Sequence, residues 1–357
     1  MTRRTPGSLV RDEVRSLQAY HVPPASGLVK LDAMENPYRL PEALAAEMGA
    51  RLAAVAVNRY PDPSGASLKQ ALREAMAIPD SQEIVLGNGS DEILQIIALA
   101  LARPGAAALS VEPSFAMYRI SSIATGLRPI GVALRPDFSL DEEAVMRALE
   151  AERPALTWIA YPNNPTGNLF PREAVVRIVD AAPGLVVVDE AYYAFAGGAT
   201  MLAELERRDN LVVVRTVSKL GLAGLRLGCA IGPRAWLEQF EKLRLPYNVN
   251  VLSAAAAELL LAHREVLDEQ TRRIVADRGR LEAGLDALGI ERFASAANFV
   301  LARVADAPAA FEALRQRGIL VRTLHGSHPL LAHCLRFTVG TPEENHRLLE
   351  ALRSIPT

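Results

Sequence analysis

The chain has 357 residues, 50% of them apolar, a formal net charge of −2 and only two cysteines. Its length suits two domains, and its apolar share suffices for a core. The near-neutral charge leaves no electrostatic footprint for nucleic acid or an anionic membrane; the charged N-terminus has no signal-peptide core, and the most apolar window, Ile96–Ala102, is too short to cross a bilayer.

In chain order, Ser8 to Ala19 reads as a helix, followed by an arm with Tyr20 and Pro23-Pro24. The stretch K-L-D-A-M-E-N-P-Y, residues 30–38, breaks regular structure at Asn36-Pro37. N-R-Y-P-D-P-S-G, residues 58–65, is a second loop and carries Tyr60; a helix over 66–76 follows. In E-I-V-L-G-N-G-S-D-E, from residue 83, a short strand runs into Gly87-Asn88-Gly89, and Ser90 or Asp91 caps a long helix. Such a turn is a generic anion cradle, because free N–H groups and the positive end of the helix dipole converge there.

A strand over 106–113 leads to the aromatics of S-F-A-M-Y, residues 114–118, which fit either the core or a stack on a flat ring. After a helix near 141–152, a buried strand ends in Y-P-N-N-P-T-G, residues 161–167, leaving amides at its C-terminal end. L-V-V-V-D-E-A-Y-Y, residues 185–193, places Asp189 and Glu190 at the end of a β-branched run. A carboxylate there either caps the next helix or meets a cation, and a protonated pyridine nitrogen is one such cation.

L-V-V-V-R-T-V-S-K-L-G-L-A-G-L-R-L-G, residues 211–228, combines a buried strand with Thr216, Ser218, Lys219 and Arg226. Desolvation lowers a lysine's pKa and frees its lone pair for imine chemistry, while hydroxyls and an arginine suit a phosphate. Among 39 basic residues only Lys30, Lys69, Lys219 and Lys242 are lysines, and of these Lys219 alone follows an apolar strand. Gly89-Ser90-Asp91, Phe115, Asn164, Asp189 and Lys219 all fall at strand C-terminal ends, the edge where a doubly wound α/β sheet binds ligands.

Beyond Tyr247–Asn250, a helical region over 252–288 connects to a smaller unit. This unit has strands at 298–304, 319–322 and 334–339 and helices at 308–317 and 342–355, with Arg322 and Arg336 placed to hold a carboxylate or phosphate. The expected division is an arm over 1–29, a large domain over 30–250 and a small domain over 251–357. Cys229 and Cys334 read as free thiols of a reducing cytoplasm. His325, His328, His333 and Cys334 match no zinc spacing, so no metal is expected.

The set D-A-M-E-N-P-Y, N-R-Y-P, G-N-G-S-D-E, N-N-P-T-G, V-V-D-E-A-Y, T-V-S-K-L-G-L-A-G-L-R-L-G, P-Y-N-V-N and C-L-R-F-T-V-G resembles, in order and spacing from about Arg11 to Leu352, the fold-type I pyridoxal-phosphate-dependent aminotransferases. Within them it is similar to the class II subgroup that acts on histidinol phosphate. The resemblance implies a large domain with a mostly parallel seven-stranded sheet between helices and a smaller α/β C-terminal domain. It implies that Lys219 forms the Schiff base with pyridoxal 5'-phosphate and later shuttles a proton between Cα and C4′.

By the same resemblance Asp189 pairs with the pyridine nitrogen, Tyr192 and Asn164 hydrogen-bond O3′, and Phe115 stacks on the ring. Ser90, Asp91, Thr216, Ser218 and Arg226 surround the phosphate, and Tyr60 reaches it from the neighbouring subunit of a homodimer. Tyr20, Asn36, Asn164, Arg322 and Arg336 bind substrate. The implied reaction is L-histidinol phosphate plus 2-oxoglutarate giving imidazole-acetol phosphate plus L-glutamate, in the cytoplasm. Aromatic transamination and threonine-phosphate decarboxylation are the alternatives on the same scaffold. Two departures stand out: Phe115 replaces the family's more frequent tyrosine, and the Lys219–Arg226 loop is one residue shorter than in many members.

Overall fold

The two L-V-V-V runs that open the strands at 185 and 211 are dry, with Leu185–Val188 and Leu211–Val214 at 0% exposure. Runs buried on both faces belong to the middle of a parallel sheet covered by helices. The computed structural model describes residues 5–18 and 24–355. Among them twelve strands form in chain order: β1 (Val29–Leu31), β2 (Glu83–Gly87), β3 (Ala107–Glu112), β4 (Arg128–Ala133), β5 (Leu156–Ala160), β6 (Leu185–Asp189), β7 (Leu211–Thr216), β8 (Gly228–Gly232), β9 (Glu291–Arg292), β10 (Phe299–Arg303), β11 (Ile319–Thr323) and β12 (Cys334–Thr338).

Seven of these build one sheet in the order β2-β8-β7-β6-β5-β3-β4. Only β8 runs against its neighbours. The C-terminal ends of β2, β3, β5, β6 and β7 therefore share one edge, as the sequence pattern requires. The edge strand β4, R-P-I-G-V-A, escapes sequence reading because Pro129 and Gly131 weaken a strand signal. An edge position tolerates both.

The remaining five strands form a second sheet in the order β1-β11-β12-β10-β9. β1 lies parallel to β11, pairing Lys30 with Leu320. The stretch around residue 30, where a domain boundary is expected, thus joins the C-terminal sheet, a long-range pairing that local pattern cannot signal. The helical region after Asn250 is broken at His263 into Val251–Ala262 and Arg264–Ala287. Where a helix is expected over Ser8–Ala19, the described residues form instead two single turns, Pro6–Leu9 and Asp12–Arg15, with extended backbone at Val10 between them. Neither turn buries a residue, so no apolar face holds a longer helix together.

Behind the shared edge, β6 and β7 are clamped by a buried ion pair. Arg215 donates from Nε and Nη2 to Glu190 Oε2 at 2.9 and 2.7 Å, and from Nη1 to the Met76 carbonyl at 2.8 Å. Its guanidinium also lies 4.1 Å from the centre of the Tyr193 ring. Glu190 accepts further bonds from Thr200 Oγ1 and the Met201 N–H. Asp189 precedes Glu190 and Thr216 follows Arg215, so the clamp holds two cavity-lining residues in register. Glu190→Ala leaves an arginine buried without its counter-charge and should destabilise the fold by about 3–5 kcal/mol; equilibrium urea unfolding measures this, and a loss within experimental error would refute the clamp.

Candidate active site

The shared strand edge opens into a cavity of ≈ 580 Å³ between the two sheets. Ser90, Asp91, Phe115, Asn164, Asp189, Tyr192, Thr216, Ser218, Lys219 and Arg226 all line it, and the smaller sheet adds Arg322 and Arg336. Residues more than 100 positions apart in sequence thus meet because parallel strands deliver their C-terminal ends to one line.

On one side lies an anion cradle. Ser90 opens the helix Ser90–Leu101, whose first N–H groups point outward, and Gly89 before it has φ +88°. The positive φ of Gly89 favours glycine there, and the guanidinium of Arg226 crosses the turn so closely that an added Cβ would sit 2.6 Å from Nη2 and push the side chain aside. Arg226 Nη2 is 3.6 Å from Asp91 Oδ2. Asp91 can thus offer an anion its backbone N–H, while its carboxylate faces the arginine. The Thr216 and Ser218 hydroxyls lie 2.9 Å apart and complete the cradle.

Lys219 enters from the turn after β7. Its Nζ is 3.3 Å from the Ala33 carbonyl and 5.9 Å from the centre of the Tyr192 ring. Burial, then the positive charge of Arg336, lower its pKa to about 8. About a tenth of the amine is therefore unprotonated near pH 7, far more than for an ordinary lysine, which favours imine chemistry. Asp189 is shifted the other way, to about 6, by burial; hydrogen bonds from Tyr118 and the Ala191 N–H oppose the rise. Tyr118 Oη donates to Asp189 Oδ2 at 2.9 Å, and the Ala191 N–H donates to Oδ1 at 3.0 Å.

Asn164 links the halves of the site. Its Nδ2 donates to Tyr192 Oη at 3.3 Å, and its Oδ1 accepts from Arg336 Nη1 at 2.6 Å. Arg336 Nη2 donates to the Asp32 carbonyl at 3.0 Å. Arg322 is directly opposite Arg336 in the β11–β12 register.

These residues fit pyridoxal phosphate. Asp189 is a buried carboxylate facing the cavity with no ion pair among the described residues, so a protonated ring nitrogen would supply the missing cation. The cradle suits the phosphate, and the depressed amine suits the aldehyde.

Three expected residues are not part of this lining. Tyr20 lies outside the described residues. Tyr60 is 79% exposed and stacks on Tyr247 at 4.6 Å, away from the cavity. Asn36, expected at the substrate, is instead spent beneath the lysine turn, donating to the Leu220 carbonyl at 3.3 Å and to Gln270 Oε1 at 2.9 Å. It packs against Gly221, whose added Cβ would lie 2.9 Å from Asn36 Nδ2. Sequence reasoning leaves Tyr118 among aromatics of undecided role, although its place three residues after Phe115, one helical turn on, was a usable signal.

A family model described as aminotransferase class I and II matches residues 26–352. The histidinol-phosphate aminotransferase of Chromobacterium violaceum is 54% identical over 346 residues, covering 97% of this chain and 97% of that protein. Histidinol-phosphate aminotransferase 2 of Cupriavidus pinatubonensis is 53% identical, covering 96% of this chain and 95% of its own. Among solved structures, histidinol-phosphate aminotransferase from Sinorhizobium meliloti in complex with pyridoxal-5'-phosphate superposes with a TM-score of 0.87 at 27% identity, covering 97% of each chain.

Without cofactor, Asp189 binds a proton more readily folded than unfolded, so its burial costs stability increasingly as pH rises from about 4 to about 6, and fully above that. Asp189→Asn should therefore raise the melting temperature of the cofactor-free protein above pH 6 and leave it little changed near pH 4. Calorimetry at the two pH values checks this; a variant less stable than the parent at neutral pH contradicts it.

Proposed function

The chain belongs to the class I and II aminotransferases, and on that premise we propose that it transfers the amino group of L-histidinol phosphate to 2-oxoglutarate, giving imidazole-acetol phosphate and L-glutamate. It is a pyridoxal-phosphate-dependent transaminase of histidine biosynthesis. The observation that carries the reading is the single cavity in which Lys219, Asp189 and the Ser90–Arg226 cradle face two arginines of the other sheet.

Pyridoxal phosphate, when bound, supplies an aldehyde that takes up the donor's nitrogen and a ring that withdraws electrons from the donor's Cα. The chain's own groups then divide the work. Lys219 Nζ holds the cofactor and, when displaced by the donor, accepts the Cα proton and returns one. The negative charge of Asp189 keeps the ring nitrogen protonated. Tyr192 and Asn164 would hydrogen-bond the ring's O3′, Phe115 would cover its face, and Ser90, Asp91, Thr216, Ser218 and Arg226 would hold its phosphate.

Arg336 and Arg322 bind the phosphate of one substrate and a carboxylate of the other, because a guanidinium fork serves either oxyanion. The Asn164–Arg336 hydrogen bond supports this assignment, since it places the substrate-binding arginine beside the cofactor-binding amide.

The assembly is part of the same proposal. Tyr60 and Tyr247 form an exposed stacked pair, with exposed Val57 and Leu245 nearby in sequence. A second copy of the chain seated there explains so much apolar surface and carries Tyr60 to the neighbouring phosphate. Each subunit divides into a large domain ending near residue 250 and a small domain over 251–357 whose sheet β1 joins, and the helix Arg264–Ala287 leads between the two sheets. Cytoplasmic residence accords with two buried free cysteines. Among the described residues no helix is long and apolar enough to cross a membrane.

A panel of amino donors with 2-oxoglutarate tests the substrate: kcat/KM should be highest for histidinol phosphate, and a preference for phenylalanine would sink the assignment. Lys219→Ala should lose both transamination and the visible absorbance of the lysine-bound cofactor; retention of either removes Lys219 from its role. Tyr60→Phe should leave a dimer by sedimentation and weaken cofactor retention by about 1 kcal/mol, one hydrogen bond. A fully active monomer would exclude the cross-subunit contact.

A further inference from the structure

Asp189 is held by a residue that none of the cofactor roles above includes. Tyr118 lies on the helix Ala116–Thr125, is 1% exposed, and gives its only phenolic proton to Asp189 Oδ2 at 2.9 Å. Its ring is fixed on two sides. Trp158 of β5 stacks on it at 5.4 Å with the planes 7° apart, and Phe115 meets it edge-on at 5.6 Å. The Trp158 indole N–H points to Ser122 Oγ at 3.4 Å, and Ser122 in turn donates to the Tyr118 carbonyl at 2.7 Å. The phenol therefore has one orientation, and that orientation ends on the carboxylate.

We infer that Tyr118 is a positioning residue that aims the Asp189 carboxylate and keeps it charged for the cofactor's ring nitrogen, an inference that rests on the cofactor reading above. Other groups around Asp189 work against ionisation or are already engaged. Asp91 on the helix Ser90–Leu101 and Glu190, the next residue, both repel a second negative charge, and Glu190 is committed to Arg215. Lys219 Nζ, which faces the same cavity, is turned to the Ala33 carbonyl at 3.3 Å. The Ala191 N–H and the Tyr118 hydroxyl both donate to the carboxylate and stabilise the anion directly.

The phenol is suited to this. Burial and the neighbouring Asp189 push its own ionisation well above the usual tyrosine range, so it remains a donor throughout the working pH. Tyr118 also joins the ring-covering residue to the ring-nitrogen partner, since it touches Phe115 on one edge and Asp189 through its hydroxyl. One side chain thereby sets both the face and the far end of the cofactor's slot.

The test is cofactor uptake by the cofactor-free protein, titrated with pyridoxal phosphate and followed by quenching of tryptophan emission across a range of pH. Parent affinity should fall as pH drops through about 6. Tyr118→Phe should move that midpoint upward and raise Kd roughly 10- to 100-fold near neutrality, the loss of a hydrogen bond to a charged group. Should Tyr118→Phe fold poorly, 3-fluorotyrosine placed at position 118 has nearly the same shape and is a stronger donor; it should move the midpoint downward. In an Asp189→Asn background Tyr118→Phe should produce no pH shift, since the titrating group is gone. A folded Tyr118→Phe protein with the parent's profile, or a fluorotyrosine protein with an unmoved midpoint, overturns the role of Tyr118 alone. A parent that takes up no pyridoxal phosphate overturns the functional reading and this inference with it.

Discussion

Asp189 is a negative charge at the dry end of a parallel strand, and much of the site answers its cost. A carboxylate there is expensive without a cation. Four fully buried residues lead to it along β6, and the β7 backbone packs beside it. The protein supplies two hydrogen bonds and leaves the cavity side open. A buried acid that is only half compensated suits a cationic ring, and the proposed pairing would tie cofactor retention to the strand's burial.

The two titratable groups at the centre are displaced in opposite directions by one cause. Burial disfavours charge, so it raises the Asp189 carboxyl and lowers the Lys219 amine. Each then has a value closer to neutrality than in water. Arg336 pushes Lys219 further down. The arginine proposed to bind substrate therefore also tunes the amine proposed to move the proton.

Arg336 reaches that position because the two sheets meet at Asn164. The amide of one loop accepts from the guanidinium of β12 and donates to Tyr192. Beneath it, Asn36 and Gln270 tie the N-terminal segment and the long helix to the lysine turn. The site is thus assembled from both ends of the chain, and its rigidity comes from hydrogen bonds between polar side chains that burial makes costly to break.

Most of the cofactor site was legible in the residues themselves. Apolar β-branched runs ending in Asp189 or Lys219 announce buried strands with chemistry at their ends. Gly89-Ser90 announces an anion cradle, and parallel topology then forces these ends together. The helix at the N-terminus, the edge strand β4 and the place of β1 were not legible, because each depends on what a segment packs against. Asn36 shows the same limit: its type and neighbourhood suited a ligand, yet the tertiary structure spends it under the turn after Lys219. Tyr118 was visible as an aromatic, but only folding could show that its hydroxyl ends on Asp189. Sequence by itself determined which groups can do the chemistry, since residue type and strand period are local. The tertiary structure decided which of them meet, since a 2.9 Å hydrogen bond between residues 71 positions apart has no local signature.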